Sequence, residues 1–513
     1  MKEIVRRALV LVVFGAGSAG AQRSLDQRVQ QVMDRPEFVH AVWGIEFYDL
    51  GAKRTVYSLN RDRLFVPGST TKLVTTGTAL ELLGSEHRFR TRVYRTGPVD
   101  RGVLDGDLVL VAGGDPNLSG RLNADGTLAY TNVDHSYGGL PLAADPLTVL
   151  RGIARQVSER GIQRVTGRVI VDASLFPEGE KELGTRVTLS PMVLNDNVID
   201  VVIAPGTMAG DGASVQLLPQ TGYLTVDNHL VTADSGASPR IESTQDSTNR
   251  DRRVLRLQGR VPAGAAPQNL RWAVSSPTRF AELAFAEALT DAGVHATARP
   301  AHDEVDFRQL AVRYSDSTLV ADHRSAPFSE EAKVILKMSQ NLHASLMPTI
   351  VAVTLAPGDT NRTGFDLERE FLTKGGLDVN GAVQGDGAGG DAFFSPAFMT
   401  RYLEYCSTRP WAEVFRRSLP ILGRDGTLAA IQPQSAAAGQ VFAKTGTFAS
   451  YDPLHRRLLV HAKGLAGYFT SRSGKSIAFA IYLNNFALEK GDPAAFAGQT
   501  LGEIAAIGWE FIP

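Results

Sequence analysis

Cysteine is almost absent from this chain: of its 513 residues only Cys406 is a cysteine, so no intramolecular disulfide can form. A small disulfide-stapled fold is therefore excluded, and Cys406 is predicted to be a small buried apolar residue. A strong charge of one sign is also missing, because 53 Lys and Arg balance 54 Asp and Glu to a formal net charge of -1. This balance favours neither nucleic acid nor an anionic membrane as a partner.

Long apolar segments are missing as well. No run of about 18 or more uncharged apolar residues, the length needed to span a bilayer, occurs in the chain. The N-terminal apolar run, Ala8–Phe14, is short; basic residues precede it, and small residues at 19–21 fit a signal-peptidase site. Residues 1–21 are therefore predicted to be a signal peptide. The mature protein is expected to be exported, periplasmic or extracellular, with no membrane span.

The chain has the composition of a globular protein, with 43% apolar and 21% charged residues, and its length predicts at least two domains. Apolar periodicity and turn residues predict a series of elements. These are a β-hairpin over 38–58, helices over Ser69–Leu83, Glu330–Leu346 (with Ser329 as N-cap) and Pro493–Trp509, and strands over 440–444, 464–470 and 476–483. The outer segments, 22–93 and 309–513, are predicted to form one discontinuous α+β domain. Residues 94–308, in which short strand-like runs are separated by Gly, Pro, Asp and Asn, are predicted to form a mostly β insertion of one or two domains.

The start of the first helix carries Ser69 and Lys72, a Ser-x-x-Lys pattern found nowhere else in the chain. Residues three apart on a helix share a face, so the two side chains are predicted to meet. A serine hydroxyl becomes a good nucleophile when a base takes its proton. A lysine amine can act as that base only when neutral, which requires burial or a nearby positive charge. A capping serine beside a surface lysine is the structural alternative.

A second pattern, Lys-Thr-Gly, lies on a predicted strand at 444–446. Lys444 would add a second positive charge to a site. The hydroxyls of Thr445 and Thr447 would hold a substrate carboxylate, and Gly446 would let the substrate approach the strand closely. A solvated strand end is the structural alternative.

The third pattern, Ser-x-Asn, is the least specific, because it occurs at Ser58–Asn60, Ser247–Asn249 and Ser339–Asn341. Only the last lies between the other two patterns and beside an amphipathic helix, and this context selects it. In this interpretation Ser339 relays a proton and Asn341 binds a substrate amide. The hypothesis requires all three segments, far apart in sequence, to converge on one cleft.

In this order the three patterns resemble the serine penicillin-recognising family of penicillin-binding proteins and serine β-lactamases. The long interval from Ser69 to Ser339 is similar to that of the class C low-molecular-mass penicillin-binding proteins, the D-alanyl-D-alanine carboxypeptidase/endopeptidases of the penicillin-binding protein 4 type. Further segments carry the same resemblance: Gly106–Leu108, Gly114–Pro116, His323–Pro327 and Asp425–Leu428. The implied fold is a serine β-lactamase/penicillin-binding-protein-like α+β domain, an antiparallel sheet flanked by helices, with a large insertion.

The implied activity is serine D-Ala-D-Ala carboxypeptidase and DD-endopeptidase action on peptidoglycan stem peptides through an acyl-enzyme, with β-lactams as covalent inhibitors. No cofactor, metal or nucleic acid is implied. The implied catalytic residues are Ser69 as nucleophile, Lys72 as base, Ser339, Asn341 and Lys444, the substrate-binding residues are Thr445, Gly446 and Thr447, and the oxyanion hole is formed by the N–H groups of Ser69 and Thr447.

Two departures from the family pattern concern specificity. The usual Asp-Gly-Ser-Gly-Leu-Ser-Arg segment is replaced by residues 386–391, which lack its serine and its arginine. Some family members have a segment that binds the side chain of the third stem-peptide residue. This segment has no clear counterpart here, although Glu178, Glu180 and Glu182 lie in the corresponding region. A cell-wall-binding scaffold that has lost turnover is therefore the alternative. A Ser-His-Asp hydrolase and a metallopeptidase are disfavoured, because Gly-x-Ser-x-Gly and His-Glu-x-x-His are absent.

Overall fold

The structure is a computed structural model that describes residues 25–246, 253–301 and 303–513. The signal peptide predicted at 1–21 and the second Ser-x-Asn pattern, Ser247–Asn249, lie outside the described residues. No helix of the described segments is long and apolar enough to cross a membrane. Cys406 is fully buried, as predicted.

The described residues form an α+β structure, as predicted. The strands are β1 (Val42–Asp49), β2 (Arg54–Leu59), β3 (Arg90–Arg95), β4 (Val99–Asp100), β5 (Val103–Leu104), β6 (Leu108–Val111), β7 (Arg164–Val165), β8 (Val169–Asp172), β9 (Val198–Ala204), β10 (Ser214–Leu218), β11 (Leu224–Ala233), β12 (Arg240–Asp246), β13 (Arg253–Pro262), β14 (Gln268–Ala273), β15 (Leu319–Arg324), β16 (Ala382–Gln384), β17 (Ala392–Phe394), β18 (Val441–Asp452), β19 (Arg457–Thr470) and β20 (Ser476–Ala487). The α-helices are α1 (25–33), α2 (Thr71–Leu82), α3 (Thr148–Glu159), α4 (Pro277–Asp291), α5 (Phe307–Ala311), α6 (Phe328–Lys337), α7 (Asn341–Leu355), α8 (Gly364–Lys374), α9 (Pro396–Ser407), α10 (Ala412–Arg417) and α11 (Pro493–Phe511).

The chain divides into two compact units. The first, here called the outer unit, contains the residues up to Val74 together with Arg369–Pro513. The second, the inner unit, is Thr75–Glu368. The domain limits predicted from the sequence, 22–93 with 309–513 and 94–308, stay a prediction.

The outer unit is built on one antiparallel five-stranded sheet in the order β18-β19-β20-β1-β2. Its β1–β2 pair is the predicted hairpin. Strand β20 is almost entirely buried, and its sequence is accordingly a nearly continuous apolar run, which is typical of a strand covered on both faces. Helix α11 packs against β18 and β19, and α9 packs against β20 and β1. Apolar side chains from α1, the sheet and α11 form one core.

The inner unit holds several smaller sheets, with strand orders β15-β3-β6-β8, β10-β9-β14, β11-β13-β12 and β4-β5-β7. Helices α3 and α4 pack against each other and share a single large apolar core with these strands. Short strands separated by Gly, Pro, Asp and Asn are the pattern from which the sequence predicted a β-rich segment here.

One helix prediction was wrong. Instead of a single helix over Glu330–Leu346, the chain forms α6 and α7 with a break at 338–340. At the break Ser339 has a φ of 66°, a left-handed conformation that ends a right-handed helix. The Gln340 side chain then accepts a hydrogen bond from the N–H of Leu342 at 2.7 Å and caps α7. Pro327, rather than the predicted Ser329, is the N-cap of α6.

Candidate active site

Ser69 lies in a 3-10 turn, Gly68–Thr70, that leads directly into α2. Lys72 is in the first turn of that helix, and its Nζ lies 2.8 Å from Ser69 Oγ. The Lys72 side chain is fully buried although it carries an amine. The predicted meeting of hydroxyl and amine on one helical face is therefore observed, and the alternative of a surface lysine is excluded.

Two glycines let strand β18 lie directly against this turn. Gly68 has a φ of +52°, and a Cβ added there would come within 2.7 Å of the backbone nitrogen of Thr447. A Cβ added at Gly446 would lie 3.0 Å from the nitrogen of Ser69 and even closer to the carbonyl oxygen of Pro67. Both distances are shorter than ordinary packing allows. Glycine at 446 therefore has a role in packing that the sequence interpretation did not include.

Lys444 is the second buried amine of the outer unit. It is fully inaccessible on β18, and its Nζ donates to the carbonyl of Thr445 at 2.8 Å. Burial and the neighbouring charges of Lys72 and Lys463 hold the pKa of Lys444 well below its usual value. The surroundings of Lys444 therefore favour its neutral amine over its ammonium form.

The hydroxyl groups of β18 have partners on neighbouring segments. Thr445 Oγ1 lies 2.8 Å from Thr427 Oγ1, in the Asp425–Leu428 segment that carries part of the family resemblance. Thr447 is exposed, and its Oγ1 accepts a hydrogen bond from Lys463 Nζ at 2.8 Å. Neither Thr427 nor Lys463 was predicted from the sequence as a site residue.

The altered segment 386–391 is the loop of the β16–β17 hairpin. A backbone hydrogen bond from Phe65 N to Phe394 O, 3.0 Å, ties this hairpin to the segment before Ser69. The carbonyl oxygen of Ala388 lies 3.4 Å from Lys72 Nζ. Because any residue at 388 supplies this carbonyl, the missing serine leaves the contact with Lys72 unchanged.

Ser339 and Asn341 belong to the inner unit. The carbonyl of Ser339 accepts a hydrogen bond from the Tyr137 hydroxyl at 3.1 Å. Asn341, the first residue of α7, donates from Nδ2 to Glu182 Oε1 at 2.9 Å. Both residues are almost completely buried. The orientation of this segment is therefore fixed by partners that are distant in sequence.

A buried group of charges supports the same segment. Gln340 donates from Nε2 to Asp134 and Asp196, 3.1 Å each, and Arg121 contacts both of these carboxylates. His343 bridges Asp196 at 3.0 Å and Glu331 at 2.9 Å. His135 lies 2.7 Å from Asp196 and 2.9 Å from Asp200. We call Arg121, Asp134, His135, Asp196, Asp200, Glu331 and His343 the buried charge network.

Because of the buried charge network, we expect the free energy of unfolding to fall in alkaline solution. Burial alone would lower the pKa of His343, but Glu331 and Asp196 outweigh it and raise that pKa to about 9. Protonated His343 stabilises the folded protein. This contribution is fully present below pH ~6.5, the pKa of histidine in the unfolded chain, and is lost as the pH rises through about 9. Replacing His343 with Gln should lower the free energy of unfolding at pH 6 by on the order of a few kcal/mol, and the melting temperature should fall with it. The difference from wild type should shrink by pH 10.

Thermal unfolding of wild type and of the His343→Gln variant between pH 6 and 10 measures this difference. His40→Gln, at an exposed histidine, is the matched control and should follow the wild-type curve. A His343→Gln deficit of constant size across the pH range would show that the protonated histidine has no such role.

The three glutamates considered for side-chain specificity differ in environment. Glu182 is buried and, besides Asn341, accepts the Gly184 N–H at 2.8 Å. Glu178 accepts the Ser190 hydroxyl at 2.6 Å and the Thr278 N–H at 3.0 Å. Glu180 is exposed. Glu182 is thus a structural partner of Asn341, a role that the sequence did not indicate.

The outer unit therefore brings together Ser69, Lys72, Lys444 and residues 445–447 around one turn and one edge strand. Ser339 and Asn341 are held in defined positions within the inner unit. The catalytic and binding roles of all these residues stay predictions. The arrangement of hydroxyl, buried amine and second buried amine is suited to acyl transfer through a serine nucleophile.

Comparison with known proteins gives a consistent result. The sequence profile of the D-Ala-D-Ala carboxypeptidase 3 (S13) family matches residues 25–501. A D-alanyl-D-alanine carboxypeptidase from Actinomadura sp. (strain R39) is 28% identical, over 96% of this chain and 87% of the relative. The D-alanyl-D-alanine carboxypeptidase DacB of Haemophilus influenzae is 21% identical, over 86% of this chain and 84% of the H. influenzae protein. The crystal structure of penicillin-binding protein 4 from H. influenzae superposes with a TM-score of 0.70 at 20% identity, covering 94% of this chain and 99% of that one. The fold predicted from the resemblance is thereby confirmed.

Proposed function

The chain belongs to the D-Ala-D-Ala carboxypeptidase 3 (S13) family, and we propose that it performs this family's reaction with Ser69 as nucleophile and Lys72 as general base. The protein is an enzyme of the serine D-Ala-D-Ala carboxypeptidase class. The observation that carries the residue assignment is the 2.8 Å separation between Lys72 Nζ, fully buried, and Ser69 Oγ.

In the acylation step, Lys72 takes the hydroxyl proton as Ser69 Oγ attacks the carbonyl between the last two D-alanines of a stem peptide. The negative charge that develops on the carbonyl oxygen is stabilised by the N–H groups of Ser69 and Thr447. Their backbones lie close together because residues 68 and 446 are glycines. A donor of this kind is worth about 3 kcal/mol in the transition state.

The proton then passes to the leaving amine, D-alanine departs, and the acyl group remains esterified to Ser69. We propose that Ser339 relays this proton and that Asn341 binds the substrate amide. The local geometry supports these roles, because a positive φ at Ser339 and the Glu182 contact of Asn341 fix two polar side chains in a helix-breaking turn. Lys444, predicted from the sequence to supply positive charge, is instead assigned as a buried neutral amine near Lys72, because its surroundings favour the uncharged form. Water attacks the ester in the second step and restores the serine.

The substrate ends in a carboxylate, which we assign to the hydroxyls of Thr445 and Thr447 on β18. Their positions on the outermost strand of the five-stranded sheet support this assignment, since an edge strand leaves backbone and side-chain donors open to a peptide. A crosslinked peptide also presents a carboxylate beside the scissile bond. We therefore propose that DD-endopeptidase action on peptidoglycan crosslinks accompanies the carboxypeptidase reaction.

Penicillin and related β-lactams should acylate the same serine, because their strained amide lies beside a carboxylate as in the D-Ala-D-Ala terminus. The H. influenzae penicillin-binding protein 4 has been solved in complex with a β-lactam. We further propose export to the periplasm or cell exterior, where peptidoglycan is found. The basic and apolar N-terminal segment supports this location.

The proposal is tested on the purified wild-type protein by fluorescent penicillin labelling and by release of free D-alanine from a stem pentapeptide. We expect one covalent label, which peptide mass spectrometry should map to the tryptic peptide that contains Ser69. We also expect one D-alanine to be released for each pentapeptide consumed. Heat-denatured protein is the control and should stay unlabelled. A protein that is labelled but never releases D-alanine would favour the scaffold alternative, and a label on another peptide would contradict Ser69.

A further inference from the structure

Lys463 is a third lysine of the outer unit that lies beside the proposed carboxylate site. It is located on β19 directly opposite Thr447 of β18 in the antiparallel register. Residues paired in this way project from the same face of the sheet. Its Nζ lies 2.8 Å from Thr447 Oγ1.

Helix α11 restricts the Lys463 side chain from the other side. A Cβ added at Gly498 of that helix would lie 3.4 Å from Lys463 Cε and 3.5 Å from its Nζ. The half-buried ammonium group is thus confined between strand β18 and helix α11. A lysine held in this way is pre-organised, so little side-chain entropy is lost when it acts on a ligand.

The direction of the hydrogen bond determines what Thr447 can offer. An ammonium group has three donors and no acceptor, so the hydroxyl oxygen of Thr447 must be the acceptor. The hydroxyl hydrogen is then left to donate to another group. Thr447 is exposed on the outermost strand of its sheet, so a group bound along that edge can receive this donation.

We propose that Lys463 is a positioning and specificity residue for the substrate carboxylate: it holds the Thr447 hydroxyl as a donor and adds a positive charge behind it. This inference rests on the proposed function, in which Thr445 and Thr447 bind the carboxylate beside the scissile bond. Lys463 therefore favours substrates whose terminal residue carries a free carboxylate over otherwise identical neutral ones.

Two titratable groups face Lys463 from the elements packed against it. Asp492, at the N-cap of α11, acts on the pKa of Lys463, and Lys444 on β18 is an amine whose own pKa is lowered by Lys463. Burial lowers the pKa of Lys463 to about 8, and Asp492 opposes this only in part. The side chain is cationic below this pH and neutral above it. Preference for the carboxylate should accordingly decline as the pH rises through about 8.

The test compares two peptides that share one stem and end in D-Ala-D-Ala, one with a free C-terminal carboxylate and one with a carboxamide. In Lys463→Met we expect kcat/KM for the carboxylate peptide to fall about 10- to 100-fold, the size of a lost charge-assisted hydrogen bond. For the carboxamide peptide the change should be less than about threefold. Lys463→Arg should restore most of the preference, and Lys490→Met, at an exposed lysine, should change neither rate.

Equal losses on both peptides, or no loss on either, would overturn the inference, because Lys463 would then act only on structure or not at all. If Lys463→Met does not fold, the pH dependence remains decisive: wild type should lose its preference between pH 7 and 9 and Lys463→Arg should keep it. Failure of the proposed function is recognised separately, because wild type would then show no acylation of Ser69 and release no D-alanine from either peptide.

Discussion

Replacing Ser69 with alanine is expected to abolish covalent labelling by penicillin and to reduce D-alanine release to the background rate. The substitution removes only the hydroxyl oxygen that lies 2.8 Å from Lys72 Nζ, and no acyl-enzyme can form without it. In serine hydrolases the loss of the nucleophile lowers kcat by about 10⁶. Rates of labelling and of D-alanine release, each measured against wild type, give the result.

The fold should survive this change, because the turn is held by other groups. Thr70 Oγ1 donates to the Pro67 carbonyl at 3.0 Å, and Thr71 Oγ1 donates to the Gly68 carbonyl at 2.9 Å. The melting temperature of Ser69→Ala should therefore stay close to that of wild type. Ser407→Ala, at the exposed end of α9, is the matched control and should keep full activity. Labelling that persists in Ser69→Ala would identify another nucleophile.

Local sequence signals predicted the helix start that carries Ser69 and Lys72, and the long strands of the outer unit, well. Spacing alone placed Ser69 and Lys72 on one face, and the observed contact between them follows from helix geometry. The long apolar strands near the C terminus and the closing helix were also predicted, with β18 and α11 extending beyond the predicted ends. These features depend on periodicity within a single segment, which is what a sequence displays directly.

The interruption between α6 and α7 could not be predicted in the same way. Apolar residues continue at helical spacing through 338–342, so the pattern predicts one helix. The break depends on a left-handed Ser339, which is uncommon for a residue other than glycine, asparagine or aspartate. The buried charge network beneath it is assembled from segments that are far apart in sequence. No local pattern indicates such partners.

Lys463 was missed for a related reason. In the sequence it is one lysine in a strand of mainly apolar residues, and only its register against β18 places it opposite Thr447. The reason for glycine at 446 likewise depends on the turn that approaches from a distant segment. The motif residues could therefore be identified from residue type and spacing. The residues that position them are identified only when the pairing of strands and turns in the structure is known.

Lys72 should be as sensitive to substitution as Ser69. Lys72→Arg keeps the positive charge but cannot give up its proton at any ordinary pH, so it cannot serve as a base. Lys72→Met keeps the buried aliphatic chain and has no amine. Both variants should acylate with penicillin at least about 10³-fold more slowly than wild type, within the range expected for loss of a general base. Stopped-flow measurement of the acylation rate, together with the melting temperature, tests this.

The two variants separate the chemical role of Lys72 from its role in packing. Because the side chain is fully buried, arginine strains the site, whereas methionine fits a similar volume without a charge. Loss of acylation in both, with a stable fold in at least the methionine variant, is therefore a loss of the base. Lys490→Arg, at an exposed position, is the control and should acylate normally. A folded Lys72→Arg variant with wild-type acylation kinetics would contradict the assignment, because a permanently protonated guanidinium would then suffice and the proton of Ser69 would have to leave by another group.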